Sequence, residues 1–147
     1  MINRLEHAAL SVGDMARSLA FYRDLLGMRV LRDLEPGLGG DKLGRVAGMP
    51  GARARIVHLD LGGTMLELFQ YLEPVGRPLP ADHRQADLGF THIGLSSDDV
   101  KADYKRLQTA GVAFLGEPVE FRPGVWVVYF RGPDGEVCEL RQQELGV

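Results

Sequence analysis

The chain has 147 residues, of which 45% are hydrophobic and 25% charged, a composition typical of a folded globular protein. Its formal net charge of −3 and isoelectric point near 5.8 give no basic surface for nucleic acid, and no apolar run approaches the roughly 20 residues that span a bilayer. The N-terminus lacks the basic and apolar regions of a signal peptide, and Cys138, as the single cysteine, excludes an internal disulfide. We therefore expect a cytoplasmic protein whose partners are neither nucleic acid nor membrane.

The first half of the chain predicts a strand, a helix and then three strands. Apolar and polar residues alternate over Leu5–Val12, and Gly13-Asp14 can begin a helix whose apolar stripe ends at Gly27. The next strands are predicted at Met28–Leu34, Arg53–Leu61 and Thr64–Tyr71, the last two joined as a hairpin at Gly62-Gly63. A segment rich in glycine and proline over 33–51 carries one short predicted helix, 41–46, and is either a lid over a site or a surface excursion.

The second half repeats this order after a proline-containing linker, residues 72–88. A strand is predicted at Phe90–Ser96, followed by a helix that begins after Asp98 or Asp99 and ends at Gly111. Further strands are predicted near Val112–Leu115, at Val125–Arg131 and at Gly135–Gln142.

Short motifs recur at matching places in the two halves. Gly63–Gln70 and Gly135–Gln142 share Gly, Glu, Leu and Gln at the same offsets, and His7–Asp14 shares His, Leu, Ser and Asp with His92–Asp99. The interval from histidine to the helix-ending glycine is one residue longer in the first copy than in the second. Two modules, about 4–71 and about 89–142, are therefore predicted to pair with pseudo-twofold symmetry into a single domain over 1–147.

Strand periodicity predicts which way the repeated histidines and glutamates face. In each first strand the side opposite the histidine is aliphatic, and in each last strand the leucines lie opposite the glutamate, so the helix should cover the aliphatic faces. A carboxylate in a partly buried strand needs a cation or donor. We expect four side chains to converge on one concave surface, where two imidazoles and two carboxylates suit one divalent ion of Zn, Ni, Co, Mn or Fe: His7, Glu67, His92 and Glu139.

The segment from His7 to Met28 resembles the opening motif of the vicinal oxygen chelate superfamily, which includes glyoxalase I, and Gly132–Leu140 resembles its closing motif. The resemblance covers roughly residues 4 to 142. It implies an α+β fold of paired βαβββ modules that form a cupped mixed sheet around a metal. It also implies a homodimer, a small-molecule substrate with vicinal oxygens, and a metal bound by His7, Glu67, His92 and Glu139, with the ligands supplied by one chain or by two.

The resemblance implies several reactions. We expect a lyase or isomerase of the glyoxalase I type, which transfers a proton next to a metal-chelated carbonyl through an enediolate, with Glu67 or Glu139 as the general base. The stretch Leu66–Pro74 instead resembles epimerases and favours racemisation of the methylmalonyl-CoA epimerase kind.

Two other classes stay open. An extradiol Fe(II) dioxygenase would use His7, His92 and Glu139, but a fourth ligand at Glu67 removes an open position. A non-catalytic drug-binding protein needs no metal and would line its cavity with aromatic residues, for which the candidates are Phe69, Tyr71, Phe90 and Trp126.

Other reactive side chains have structural interpretations. His58 and His83 have no counterpart in the repeat and are expected to be structural or surface residues. Cys138 is expected in the core. Four arginines that could meet an anionic substrate are more typical of a charged surface: Arg53, Arg55, Arg122 and Arg141.

Overall fold

The computed structural model of the chain describes residues 1–38 and 40–142. Position 39 of the 33–51 segment and positions 143–147 of the predicted domain lie outside the described residues. Backbone contacts divide the chain into a first unit, Met1–Pro78, and a second unit that begins at Leu79. Among the described residues, no helix is long and apolar enough to cross a membrane.

The first unit is a four-stranded mixed sheet with one main helix. Its elements are β1 His7–Ser11, α1 Met15–Leu19, a π-helical turn Ala20–Leu25, β2 Arg29–Leu34, α2 Lys42–Ala47, β3 Arg53–Asp60 and β4 Met65–Glu73. The strand order is β1-β4-β3-β2, in which β1 pairs with β4 in parallel and the other pairs are antiparallel. The first and last strands of the unit are therefore neighbours.

The second unit repeats this topology. Its elements are β5 Ile93–Ser96, α3 Val100–Thr109, β6 Val119–Arg122, β7 Val125–Arg131 and β8 Val137–Gln142. The order β5-β8-β7-β6 again has a parallel pair, β5 with β8, and antiparallel pairs elsewhere. The predicted βαβββ repeat is thus confirmed in each unit.

One predicted strand is wrong. Residues 112–115 form no strand; Phe114 makes only an isolated bridge to Phe130, and its ring packs on that of Tyr104 with the centroids 4.6 Å apart. The second strand of this unit is β6, which the sequence analysis missed. It is short, lies at the sheet edge with all four residues exposed, and stands between Pro118 and Pro123, so it resembles a loop in sequence.

The repeated aspartates and glutamines tie each helix to the sheet. Asp14 and Asp99 are the N-caps of α1 and α3, and each accepts a hydrogen bond from the backbone N–H three residues later at 2.9 Å. The side-chain oxygen of Gln70 accepts from the N–H of the first residue of α1 at 3.1 Å, and Gln142 does the same for α3 at 2.9 Å. The last strand of each unit therefore holds the start of its helix.

The π-helical turn explains the unequal spacing of the repeat. A π turn takes one more residue than an α turn and arises where a residue is inserted into a helix. The N–H of Leu26 donates to the carbonyl of Phe21, five residues earlier, at 2.9 Å, and Gly27 then ends the helix with φ of 83°. The π turn accommodates the extra residue inside the first helix. Both helices therefore end in the same way, at a glycine with positive φ, which is Gly111 with φ of 86° in the second unit.

Each core lies on the face of the sheet that carries the helix. In the first unit Leu66 and Leu68 of β4 are buried, and Tyr22 is fully buried. In the second unit the buried residues include Leu107, Phe130 and Cys138, the last of them as expected from the sequence. Glu67 and Glu139 therefore lie on the opposite faces of their sheets.

Candidate functional site

The predicted site residues of the first unit are His7 and Glu67. The pairing of β1 with β4 sets Ala9 beside Glu67, and His7 lies two residues earlier on the same face. The distance from His7 Nε2 to Glu67 Oε2 is 3.4 Å, and the glutamate side chain is only 14% exposed. We call these two residues the first pair.

A second histidine contacts the same carboxylate. His58 is directly opposite Glu67 in the pairing of β3 with β4, and its Nε2 lies 3.1 Å from Glu67 Oε1. Its side chain is 15% exposed. The sequence analysis expected only a structural or surface role for His58, although the predicted hairpin at Gly62-Gly63 contained the signal, because a turn centred there sets His58 opposite Glu67.

The predicted site residues of the second unit, His92 and Glu139, form the second pair. Gly94 of β5 lies beside Glu139 of β8, and His92 precedes it by two residues. His92 Nε2 is 2.9 Å from Glu139 Oε2, and the glutamate side chain is 14% exposed. The repeat thus places a carboxylate and an imidazole side by side in each unit.

Tyr129 takes the place in the second unit that His58 has in the first. It is directly opposite Glu139 in the pairing of β7 with β8, and its ring packs on the His92 imidazole with centroids 4.9 Å apart. Burial, together with the negative charge of Glu139, raises the pKa of the Tyr129 hydroxyl above its usual value. The phenol therefore stays protonated at neutral pH.

The other ring nitrogen of each histidine contacts the residue just before it. His7 Nδ1 hydrogen-bonds to the Glu6 carboxylate, and His92 Nδ1 lies 3.0 Å from Thr91 Oγ1. The hydrogen bond that His7 donates to the Glu6 carboxylate, reinforced by the charge of Glu67, raises the pKa of His7. The sequence analysis missed both neighbours, because neither is part of the repeat.

These contacts fit the chemistry of a metal site. A histidine that binds a metal through one ring nitrogen commonly hydrogen-bonds through the other, which fixes the orientation of the ring. Both histidines are arranged in this way, with Nε2 directed at a carboxylate oxygen, and mixed imidazole and carboxylate donors suit divalent transition metals. In the described ranges, no three histidine, cysteine, aspartate or glutamate side chains lie close enough together to form a metal-binding group.

The aromatic residues named as candidates for a binding protein have different surroundings. Phe69 and Tyr71 follow Glu67 on the same face of β4, with their rings stacked at 5.9 Å. The Trp126 ring lies under Lys101, whose Nζ is 3.6 Å from the ring centroid, and Phe90 is exposed.

The family follows from a comparison with known proteins. The family model of the Glyoxalase/Bleomycin resistance protein/Dioxygenase superfamily matches residues 4–140. The chain belongs to this superfamily. It is the vicinal oxygen chelate superfamily that the two sequence motifs resemble, and the match spans both units.

Relatives within the superfamily include two kinds of enzyme. The chain is 35% identical to a 2-epi-5-epi-valiolone epimerase from Actinomyces sp., over 92% of this chain and 77% of that protein. It is 29% identical to human mitochondrial methylmalonyl-CoA epimerase, over 96% and 74%. It is 30% identical to a probable lactoylglutathione lyase from Synechocystis sp., over 94% of both chains.

Solved structures show the same fold. A glyoxalase family protein from Bacillus cereus superposes with a TM-score of 0.87 at 20% identity, over 98% of this chain and 97% of that one. The trypanothione-dependent glyoxalase I of Leishmania major superposes with a TM-score of 0.66 at 26% identity, over 95% and 86%.

Proposed function

We propose that this superfamily member is a divalent-metal-dependent enzyme that transfers a proton at a carbon next to a carbonyl group, and that its reaction is an epimerisation. The observation that carries the proposal is that each unit has one partly buried glutamate in contact with an imidazole. The distance from the histidine Nε2 to the glutamate Oε2 is 3.4 Å for Glu67 and 2.9 Å for Glu139. An epimerase must remove a proton from one face of a carbon and return one to the other. A duplicated carboxylate is suited to that task.

We propose that the two pairs together bind one divalent ion. The ligands are His7, Glu67, His92 and Glu139, supplied by one chain or by two copies in a homodimer. When bound, the ion supplies Lewis-acid chemistry, because it lowers the energy of the negative charge that develops on the carbonyl oxygen as the proton leaves. We propose that the substrate is a small molecule with two neighbouring oxygen atoms that would bind the same ion.

The proton itself is moved by this chain's own side chains. Glu67 and Glu139 are the candidate bases, since each side chain is 14% exposed on the face of its sheet away from the helix. Glu6 and Thr91 hold the histidine rings through Nδ1. Tyr129, packed on His92 and kept protonated, restricts the tilt of that ring.

Proton exchange with solvent tests this proposal directly. Metal-loaded protein in D₂O should exchange the hydrogen next to the carbonyl of its substrate, followed by NMR on 2-epi-5-epi-valiolone and methylmalonyl-CoA. Glu67→Gln and Glu139→Gln should each slow exchange by about 10²-fold or more, because a general base contributes that much. Glu117→Gln, which changes an exposed loop glutamate, is the matched control. Unchanged exchange in both site variants would refute the assignment.

A second candidate is a lactoylglutathione lyase. It is favoured by the match to the probable Synechocystis enzyme, which covers 94% of both chains. Turnover of lactoylglutathione, with no exchange in the two epimerase substrates, would replace epimerisation by this reaction and leave the two glutamates in the same role.

A further inference from the structure

The two units differ at one position beside the glutamate. The residue directly opposite Glu67 is His58, and the residue directly opposite Glu139 is Tyr129. Every other polar group of the two pairs has a counterpart at the same register. The chemistry of this position therefore distinguishes the first unit from the second.

His58 completes a row of three polar groups in the first unit. Glu67 offers Oε2 to His7 at 3.4 Å and Oε1 to His58 at 3.1 Å, so its two oxygens face two different imidazoles. His58 and Glu67 are 15% and 14% exposed, which makes their contact the better shielded of the two, since His7 is 43% exposed. A hydrogen bond to a carboxylate strengthens where water is partly excluded.

Tyr129 acts on the other member of its pair. Its ring packs against the imidazole of His92, and the described residues include no hydrogen bond from its hydroxyl to Glu139. The residue opposite the glutamate therefore contacts the histidine in the second unit and the glutamate in the first.

We propose that His58 is a positioning residue that donates a hydrogen bond from Nε2 to Oε1 of Glu67 and so leaves Oε2 as the oxygen that binds the metal. This rests on the proposed function, in which Glu67 is a ligand. A carboxylate held in one rotamer loses less conformational freedom when the ion binds than a freely turning one. His58 itself binds neither metal nor substrate.

The hydrogen bond has a readout that needs no metal. Long-range ¹H–¹⁵N NMR on the metal-free protein, recorded at mildly alkaline pH, reports which ring nitrogen of His58 carries the proton. The expected result is the Nε2–H tautomer in the wild type and a change of the His58 ring signals in Glu67→Leu. The Nδ1–H tautomer in the wild type would overturn the proposal, because Nε2 could then not donate.

Metal affinity tests the consequence of that bond. Competition with a chelator, with Zn²⁺ and then Ni²⁺ as probes, should show binding weakened about 10- to 100-fold in His58→Leu, the range typical of lost outer-sphere partners. His58→Gln, whose amide can still donate, should retain most of the affinity. His83→Leu is the control, since that histidine pairs with Asp87 instead.

The outcomes separate this inference from the proposed function. An affinity in His58→Leu equal to that of the wild type would refute the positioning role. A wild-type protein that binds no divalent ion would refute the proposed function instead, and the tautomer of His58 would still decide whether it holds Glu67. Thermal unfolding of each variant shows that the fold is retained.

Discussion

Replacing Gln142 by Met should destabilise the protein through the helix that the glutamine holds. Its side-chain oxygen accepts a hydrogen bond from the N–H of Val100 at 2.9 Å, and that N–H begins α3, where no carbonyl of the helix can reach it. Val100 is fully buried. Methionine keeps the length of the side chain and removes the acceptor.

The magnitude follows from the burial of the donor. A buried N–H that loses its acceptor costs about 1–3 kcal/mol, and loss of a helix cap about 0.5–2 kcal/mol. The two ranges overlap at about 1–2 kcal/mol, which for a chain of this size lowers the melting temperature by about 5 °C.

Equilibrium unfolding in urea measures this difference. Gln108→Met is the matched control, because Gln108 lies exposed on the same helix and makes only a long 3.3 Å bond to the Tyr104 hydroxyl. Gln70→Met should lose a similar free energy, since that glutamine holds α1 at 3.1 Å. If Gln142→Met is no less stable than Gln108→Met, the hydrogen bond from the Val100 N–H to Gln142 does not stabilise α3 and the reasoning fails.

Three further changes have defined outcomes in the same unfolding assay. Ser18→Ala should raise the free energy of unfolding by about 1 kcal/mol, because the fully buried Ser18 hydroxyl has no hydrogen-bond partner among the described residues; a loss would contradict this. Leu107→Ala should cost about 2–5 kcal/mol, as Leu107 is fully buried in α3, and a cost below 1 kcal/mol would show that the site collapses. Arg55 holds the pKa of Asp33 below its usual value of 3.8, so their ion pair stabilises the fold above that pH and loses its effect as the pH falls through the lowered pKa. The stability difference between wild type and Asp33→Asn should therefore disappear in acid, and a difference that persists there would have another origin.

Much of the fold can be predicted from periodicity, because an element with one buried face carries its apolar residues at the spacing of a strand or a helix. The predicted bounds of Val125–Arg131 agree with β7, in which Val128 and Phe130 are buried and the residues between and after them are more exposed. The same signal fails for β6, because both of its faces are exposed and its apolar residues therefore need not lie on one face. The isolated bridge at Phe114 shows the converse, since its apolar neighbourhood packs against α3 rather than pairing along a strand.

Two contacts of the candidate site were predictable from the repeat, while the metal site itself stays a prediction. His7, Glu67, His92 and Glu139 recur together, and the structure brings each histidine to its own glutamate. The contact of His58 with Glu67 was missed because His58 was compared with the repeat and not with its hairpin partner. Glu6 and Thr91 differ in residue type, and only the side-chain geometry shows that each hydrogen-bonds to the Nδ1 atom of the histidine that follows it.

The parallel pairing of the first and last strand has a consequence for how the protein is made. His7 is synthesised before Glu67, which lies beyond β2, α2 and β3, so the first pair forms only when its whole unit has been synthesised. The second pair likewise waits for β8, the last strand of its unit. Such long-range closure is slow in folding, and an incomplete unit presents a histidine without its carboxylate. The order of strands thus delays the meeting of each histidine with its glutamate until each unit is whole.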